Sequence, residues 1–246
     1  MEGVKPYSPH HPLRVVTATS LFDGHDVAIN IIRRILQDSG AEVIHLGHNR
    51  SAAEVVDAAI QEDAQGICAS CYQGGHVEFF CYIMQLLRER GADHVKVFGG
   101  GGGVIVPSEI REIEAAGVTK IFSPEDGRTV GLQGMVNYIL ESIDRPIPYD
   151  HVIARAAELA PAHKGLVARY ITAVEDAKAH ANGKLASLMT PLSSRGTRRV
   201  PVLGVTGTGG AGKSSLIDEL IVRFLNEVPD KTVAVLSIDP SRRKSG

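Results

Sequence analysis

The chain has 246 residues, of which 43% are hydrophobic and 22% charged, values typical of a globular protein with a substantial core. The formal net charge of -2 gives no electrostatic reason to expect nucleic acid or an anionic membrane as a partner. No apolar run reaches the roughly 18 residues that a membrane-spanning helix needs, and the polar N-terminus has no apolar signal core. We therefore expect a cytoplasmic protein.

Apolar runs alternate with helix-like segments over the first part of the chain. The runs predict buried strands at residues 13–19, 42–46, 66–69, 95–98 and 119–122. The segments that follow them predict helices at about residues 27–37, 52–63, 77–89, 107–116 and 129–143. Such alternation is typical of a parallel sheet covered on both faces. We predict a flavodoxin-like (Rossmann-type) α/β fold with a five-stranded parallel sheet, in which ligands bind at the carboxyl ends of the strands.

The alternation stops at Arg145, where two prolines follow within three residues and predict a domain boundary. Helices are predicted at about 151–159, 164–182 and 213–225, and strands at 200–205 and 232–238, with a polar segment at 190–199. We thus expect a tail (1–12), a first domain (13–144), a linker with a helical lead-in (145–199) and a second domain (200–246). Two strands and one crossover do not complete an α/β core, so we expect the second domain to be incomplete here.

Three cysteines are too few, and odd in number, for a disulfide framework. Cys68 and Cys71 form a Cys-x-x-Cys pattern, which can mark a redox or zinc site. Cys68 still belongs to a predicted strand, however, and no second Cys/His pair has suitable spacing for zinc. We expect these cysteines to pack in the core.

Candidate ligand-binding residues follow three of the predicted strands. The first is His25, two residues after Asp23; imidazole is a good ligand for metals such as cobalt, and the carboxylate can hold the other ring proton. The second is Ser70, and the third is a run of five glycines at 99–103. Singly, these are more typical of a surface turn, a helix cap and a flexible loop. Because parallel strands end at the same edge, we expect them to lie together.

In this order, the residues resemble the Asp-x-His-x-x-Gly, Ser-x-Leu and Gly-Gly signatures of cobalamin-binding domains, over about residues 13–143. Ala28 stands where the family usually has glycine, and Tyr72 where it has leucine. The resemblance implies that His25 binds cobalt from below in place of the cofactor's dimethylbenzimidazole, whose nucleotide tail then enters a slot beside the sheet. The implied cofactor-binding residues are Asp23, Gly24, His25, Ser70, Tyr72, Gly100 and Gly101.

A second motif, Gly207-Thr-Gly-Gly-Ala-Gly-Lys-Ser214, matches the P-loop pattern between a predicted strand and a predicted helix. Backbone N–H groups of such a loop hold phosphates, with Lys213 on the β- and γ-phosphates and Ser214 on Mg²⁺. Asp239, at the end of the next predicted strand, is placed to act on the same Mg²⁺. The predicted nucleotide-binding residues are Gly207, Gly209, Gly210, Ala211, Gly212, Lys213, Ser214 and Ser215. No guanine-selective motif follows, so these residues leave GTP and ATP open.

Residues from about 153 onward, with the P-loop and Ser237-Ile-Asp-Pro-Ser241, resemble GTPase chaperones of cobalamin-dependent acyl-CoA mutases. The order of the two domains resembles that of fused isobutyryl-CoA mutases. This resemblance implies adenosylcobalamin as cofactor, radical interconversion of isobutyryl-CoA and n-butyryl-CoA, and GTP hydrolysis with Mg²⁺ that gates cofactor loading. It also implies an acyl-CoA domain in the same polypeptide and a homodimer. We expect no catalytic residue here beyond cofactor ligation, and no mutase turnover by these residues alone.

Two alternatives stay open. A corrinoid methyl-carrier protein uses the same histidine, but such carriers usually have a helical cap before the cobalamin domain and no P-loop. A non-enzymatic receiver-like domain with a nucleotide switch needs an aspartate at a strand end as phosphoacceptor and a lysine after the fifth strand. Asp23 could be that aspartate, but Ser123 and Pro124 follow the fifth predicted strand.

Overall fold

The computed structural model describes residues 4–180, 183–193 and 200–238. The chain divides between residues 194 and 195 into two compact units. Within the described ranges, no helix combines the length and the apolar character needed to cross a membrane.

A five-stranded parallel sheet forms the centre of the first unit, in the order β2-β1-β3-β4-β5. The strands are β1 Arg14–Thr19, β2 Glu42–His45, β3 Gly66–Ser70, β4 Lys96–Gly100 and β5 Lys120–Phe122. The register pairs Thr19 with Ser70 and Ser70 with Gly100, so β1, β3 and β4 end at one edge. This strand order is the flavodoxin-like one, and the predicted fold class is confirmed.

A helix follows each strand, and each helix packs on one of the two faces of the sheet. The helices are α1 Val27–Asp38, α2 Ala52–Gln61, α3 His76–Glu89, α4 Pro107–Ala115 and α5 Pro124–Ile143. Side chains of β3 alternate between the two faces, as a period of two requires. Ile67 and Ala69 join an apolar cluster with α2, α3 and α4, whereas Cys68 joins a second cluster with α1 and α5. Both faces are therefore buried.

Helix α5 differs from its prediction at the N-terminus. It begins at Pro124 rather than near residue 129, because the Ser123 hydroxyl accepts the Asp126 N–H and Asp126 accepts the Ser123 N–H in a capping box. Proline is favoured at the first helical position, where its missing N–H has no cost. Gly131 interrupts the helix with φ 66° and ψ 173°. The wall that α5 gives to the sheet edge thus consists of two helical pieces.

Three helices after residue 145 complete the first unit: α6 Tyr149–Ala154, α7 Lys164–His180 and α8 Lys184–Ser193. They share a third apolar cluster, which includes Val152, Tyr170 and Leu188. Arg14 of β1 donates to Thr172 of α7 over 3.2 Å and so ties this helical group to the sheet. Helix α8 was not predicted, because it contains Pro191 and several polar residues.

The second unit contains one helix among its described residues, α9 Lys213–Glu227. The strands predicted at 200–205 and 232–238 are wrong for this structure, which has no β-ladder in that part of the described chain. A strand needs a neighbour for its hydrogen bonds, and the two segments do not pair with each other. Leu203 is 78% exposed and Leu236 87% exposed, as expected for segments without a covering layer.

Candidate ligand-binding sites

His25 lies in the β1–α1 loop, beyond the carboxyl end of the sheet, with 74% of its side chain exposed. Its Nδ1 is 2.7 Å from Oδ1 of Asp23, whose side chain is completely buried. In the described part of the chain, no hydrogen bond reaches the Nε2 of His25. When Nδ1 donates to the carboxylate, Nε2 keeps a free lone pair that faces solvent. That is the arrangement of a histidine prepared to bind a metal.

The Asp23 carboxylate binds more than this ring. Oδ1 also accepts the backbone N–H of His25 over 2.9 Å, and Oδ2 accepts the backbone N–H of Tyr72 over 2.5 Å. Burial by itself raises the pKa of Asp23. The N–H groups of Tyr72 and His25 and the His25 ring outweigh that effect and hold the pKa below its usual value. The carboxylate is therefore ionised at neutral pH and is available as the hydrogen-bond acceptor of Nδ1.

These contacts also disfavour the receiver-like alternative. A phosphoacceptor aspartate has to expose an oxygen to its phosphoryl donor. Asp23 is 2% exposed as a whole residue, and both of its oxygens are already hydrogen-bonded. The aspartate therefore serves the histidine and the neighbouring loop rather than an external group.

Tyr72 links the histidine to the rest of the site. Its ring centroid is 5.8 Å from that of His25, at an interplanar angle of 40°. The next residue, Gln73, donates from Nε2 to the Leu21 carbonyl over 2.7 Å. The loop after β3 is thereby fastened to the loop after β1 at two points. The tyrosine that replaces the usual leucine contributes ring surface beside the imidazole.

A cavity of about 290 Å³ opens between α1 and α5 at the carboxyl edge of the sheet. Its lining is mostly apolar and includes Ile29, Ile32, Phe98, Phe122, Met135 and Ile139. Ser70 is the polar residue on the sheet side, and its Oγ lies 3.0 Å from Oγ1 of Thr19. A flat apolar group with one hydrogen-bonding atom would suit such a lining.

Ala28 also lines the cavity, so the methyl group that replaces the usual glycine hydrogen becomes part of its wall. The α5 side chains of this wall were not anticipated from the sequence. The signal available for them was the apolar face of the helix, which does not distinguish core from cavity.

Glycines of the run at 99–103 form part of the cavity wall. Gly99, Gly100, Gly101 and Gly102 all line it, so the predicted pair, Gly100 and Gly101, lies in the middle of the set. A Cβ on Gly99 would lie 2.4 Å from Phe80, and one on Gly101 would lie 2.0 Å from a backbone carbonyl oxygen. Those two glycines are required by packing. A Cβ on Gly100 would approach only the Phe122 carbonyl oxygen, at 3.4 Å, so that glycine leaves open space for a ligand.

Cys68 and Cys71 are free thiols in different apolar clusters, which lie on opposite faces of the sheet. Burial raises the pKa of Cys68 to about 12 and raises that of Cys71 as well. These are the properties of packing residues rather than of a reactive pair. Across the described residues, no three His, Cys, Asp or Glu side chains are grouped to hold a metal ion.

The P-loop leads into α9, whose first two residues are the last two of the motif. Gly210 and Gly212 have φ values of 74° and 78°, in the left-handed region that glycine tolerates. Lys213 is the first residue of α9, and its Nζ donates to the Thr208 carbonyl over 2.6 Å. Ser214 follows on the first turn, where free backbone N–H groups favour phosphate. Asp239 lies outside the described residues.

Two family models match the chain. Residues 13–129 match the B12 binding domain, and residues 167–246 match the Methylmalonyl Co-A mutase-associated GTPase MeaB. The first match contains His25, Ser70 and the glycine run, and the second contains the P-loop.

Two of the named relatives align with nearly the whole chain, and a third aligns with less than half of it. The chain is 56% identical over 245 residues to the fused isobutyryl-CoA mutase of Geobacillus kaustophilus, and the alignment covers 98% of this chain and 22% of that protein. The protein of the same name from Cupriavidus metallidurans is 54% identical, and the alignment covers 97% of this chain and 21% of that protein. The 2-hydroxyisobutanoyl-CoA mutase small subunit of Aquincola tertiaricarbonis is 38% identical over 110 residues, 45% of this chain and 76% of that subunit.

The chain thus spans about a fifth of the length of the fused relatives it matches. Its first unit carries the B12-binding match and its P-loop falls in the GTPase match. The chain belongs to the fused isobutyryl-CoA mutase family, with a B12-binding domain ahead of a MeaB-type GTPase region.

Proposed function

We propose that the first unit binds cobalamin, with Nε2 of His25 as the protein ligand to cobalt. The observation that carries the proposal is the exposed imidazole, held at Nδ1 by a buried, ionised aspartate beside an apolar cavity. In the neutral ring, Asp23 holds the proton on Nδ1, which leaves the Nε2 lone pair for cobalt and fixes the ring orientation. Gly24 leaves the short turn between these two residues without a side chain.

The cavity would receive the nucleotide tail of the cofactor. Ser70 supplies a hydroxyl for the polar nitrogen of the displaced base, which would otherwise be buried without a partner. Tyr72 supplies apolar contact at the entrance, and Gly100 and Gly101 let the tail approach the backbone. The size and composition of the cavity support this assignment, and the arrangement of these residues fits the group.

We propose the adenosyl form of the cofactor. When bound, adenosylcobalamin supplies the radical chemistry of a carbon-skeleton rearrangement, and the protein supplies binding and orientation. Within this chain, His25 would bind the cobalt, Asp23 would hold the Nδ1 proton of His25, and the apolar cavity would keep water from the nucleotide tail. None of these residues acts on the substrate itself.

The second unit would bind GTP with Mg²⁺. Lys213 would leave the Thr208 carbonyl and move to the β- and γ-phosphates, while Ser214 and Asp239 would hold Mg²⁺. The N–H groups of the loop, from Gly207 to Ser215, would surround the phosphates. The GTPase family match and the loop conformation support this assignment. Hydrolysis would then gate loading and release of the cobalamin.

For the full-length protein we propose interconversion of isobutyryl-CoA and n-butyryl-CoA; the relatives that align with nearly the whole chain are named fused isobutyryl-CoA mutases, which supports this proposal. The acyl-CoA would bind to a further domain of the same polypeptide. A homodimer and a cytoplasmic location belong to this proposal as well. The methyl-carrier alternative is disfavoured, because a GTPase match follows the B12-binding match in one chain.

Electron paramagnetic resonance of bound Co(II) tests the cobalt ligand. Cob(II)alamin mixed with the chain should show splitting by a protein imidazole nitrogen. His25→Ala should lose that splitting yet keep its fold, because the side chain is mostly exposed and belongs to no apolar cluster. His48→Ala, an exposed histidine in the next loop, is the matched control and should retain the splitting. An imidazole signal that survives His25→Ala would overturn the assignment.

A further inference from the structure

His76 is a buried polar side chain that neither ligand site uses. It is the first residue of α3 and is 6% exposed. Its Nδ1 lies 3.2 Å from the Gln73 carbonyl oxygen, and its Nε2 lies 2.9 Å from Oε2 of Glu109. The second contact has the separation of an ion pair, although the ring N–H does not point straight at the oxygen. Each ring nitrogen therefore faces an oxygen atom, one from its own loop and one from α4.

A positive charge at this position needs compensation. Burial disfavours an ion, and the positive end of the α3 dipole disfavours a cation in the first turn. Glu109 offers the opposite charge. The Val106 N–H, which Glu109 accepts over 2.9 Å, and then the His76 ring hold the pKa of Glu109 below its usual value. Glu109 is therefore an ionised group that joins the start of α4 to the start of α3.

The two helix starts follow loops that meet at the cavity. The β3–α3 loop is residues 71–75, and the β4–α4 loop is residues 101–106. Tyr72 of the first loop and Gly102 of the second both line the cavity. A Cβ on Gly102 would lie 3.0 Å from the Tyr72 ring, so the tyrosine already rests on the glycine backbone. These two loops therefore meet at the wall of the cavity.

We propose that His76 and Glu109 form a positioning pair, which holds the β3–α3 and β4–α4 loops together and keeps the cavity shaped before its ligand binds. Neither residue lines the cavity, so the pair acts through Tyr72 and Gly102. A preformed site spares the ligand the entropy cost of ordering two loops. The identity of the ligand, the cobalamin tail, rests on the proposed function; the loop contact does not.

Glu109→Gln tests the pair. The amide oxygen of glutamine can still accept the Val106 N–H, whereas the charge that faces His76 is removed. We expect faster amide hydrogen exchange in residues 71–75 and 101–106 of the cobalamin-free chain. We also expect about tenfold weaker binding of hydroxocobalamin by visible spectroscopy, which corresponds to loops in the closed arrangement about a tenth of the time. Glu112→Gln, an exposed position one turn along α4, should change neither.

A second variant separates positioning from general stability. His76→Gln should weaken binding to a similar extent, and the double variant should be no weaker than either single one, because both changes remove the same contact. Additive losses in the double variant would overturn the proposal. A folded Glu109→Gln protein with the hydrogen-exchange rates and the cobalamin affinity of the wild type would overturn it as well. If the wild type binds no cobalamin, the proposed function fails, and the exchange rates alone decide whether the pair holds the loops.

Discussion

The Asp23 carboxylate accepts the backbone N–H of Tyr72 over 2.5 Å, a hydrogen bond between residues 49 positions apart. The other oxygen of the same carboxylate holds the His25 ring. One buried side chain therefore fixes both the candidate metal ligand and the loop that leads from Ser70 into the cavity entrance. Any change to this carboxylate should alter both features together.

Asp23→Asn should lower stability and cobalamin affinity at once. Asparagine keeps one oxygen, so its NH₂ group must face either the Tyr72 N–H or the donors of His25. A buried donor without a partner costs about 1–3 kcal/mol. Loss of a ligand-orienting carboxylate typically costs about 10–100-fold in metal affinity. Urea unfolding and cobalamin titration measure the two effects. Asp38→Asn, at an exposed carboxylate in α1, should produce neither, and an unaltered Asp23→Asn protein would refute the role.

Neighbouring glycines of β4 should respond differently to the same methyl group. Gly99→Ala should be destabilised by about 1–3 kcal/mol or more, because its Cβ would lie 2.4 Å from Phe80 and 2.6 Å from Ile121. Gly100→Ala should fold almost normally, since its nearest neighbour is 3.4 Å away, yet it should bind cobalamin more weakly. Thermal unfolding and a cobalamin titration distinguish the two variants. Normal cobalamin affinity in Gly100→Ala would place the tail elsewhere.

The sheet edge was predictable because parallel strands place their carboxyl ends together. Alternation of apolar runs and helix-like segments fixed β1, β3 and β4 to within a few residues, and that placed His25, Ser70 and Gly100 at one edge. The contact between Asp23 and Tyr72 was not predictable, because it depends on how two loops pack in three dimensions. The His76–Glu109 contact was missed for the same reason.

Other misses have local or tertiary causes. The early start of α5 had a signal in Ser123-Pro-Glu-Asp126, a serine cap with proline at the first position, which the apolar periodicity did not reveal. The apolar runs at 200–205 and 232–238 are strand-like in composition. Strand formation, however, depends on neighbouring strands, and the described residues of the second unit do not provide them.

The N-terminal segment should come loose from α5 in acid. The Asp144 carboxylate accepts hydrogen bonds from the Tyr7 hydroxyl over 2.8 Å and from the His10 backbone N–H over 2.7 Å. It also lies 2.6 Å from Nδ1 of His11. Burial raises the pKa of Asp144, but these bonds outweigh it and hold that pKa below its usual value. The resulting stabilisation is complete above the unfolded-state pKa of about 3.9 and disappears as the pH falls through the lower folded-state value.

Asp144→Asn should therefore cost about 1–3 kcal/mol of unfolding free energy at pH 7. The difference from the wild type should shrink as the pH falls below about 4, where the wild-type carboxyl becomes protonated. Urea unfolding of both proteins across this range measures the difference. A difference that stayed constant down to about pH 2 would mean that the Asp144 charge does not hold the segment.

The three thiols should differ in reactivity by their burial. Cys81 is half-buried, whereas Cys68 and Cys71 are buried on opposite faces of the sheet. With a pKa of about 12, the Cys68 thiol is ionised in roughly one molecule in ten thousand at pH 8, and the thiolate is the reactive form. Iodoacetamide should therefore label Cys81 first and Cys68 only after unfolding, as peptide mass spectrometry can show. Rapid labelling of Cys68, or a Cys68–Cys71 disulfide, would contradict their assignment as packing residues, since neither product can form while both side chains keep these positions.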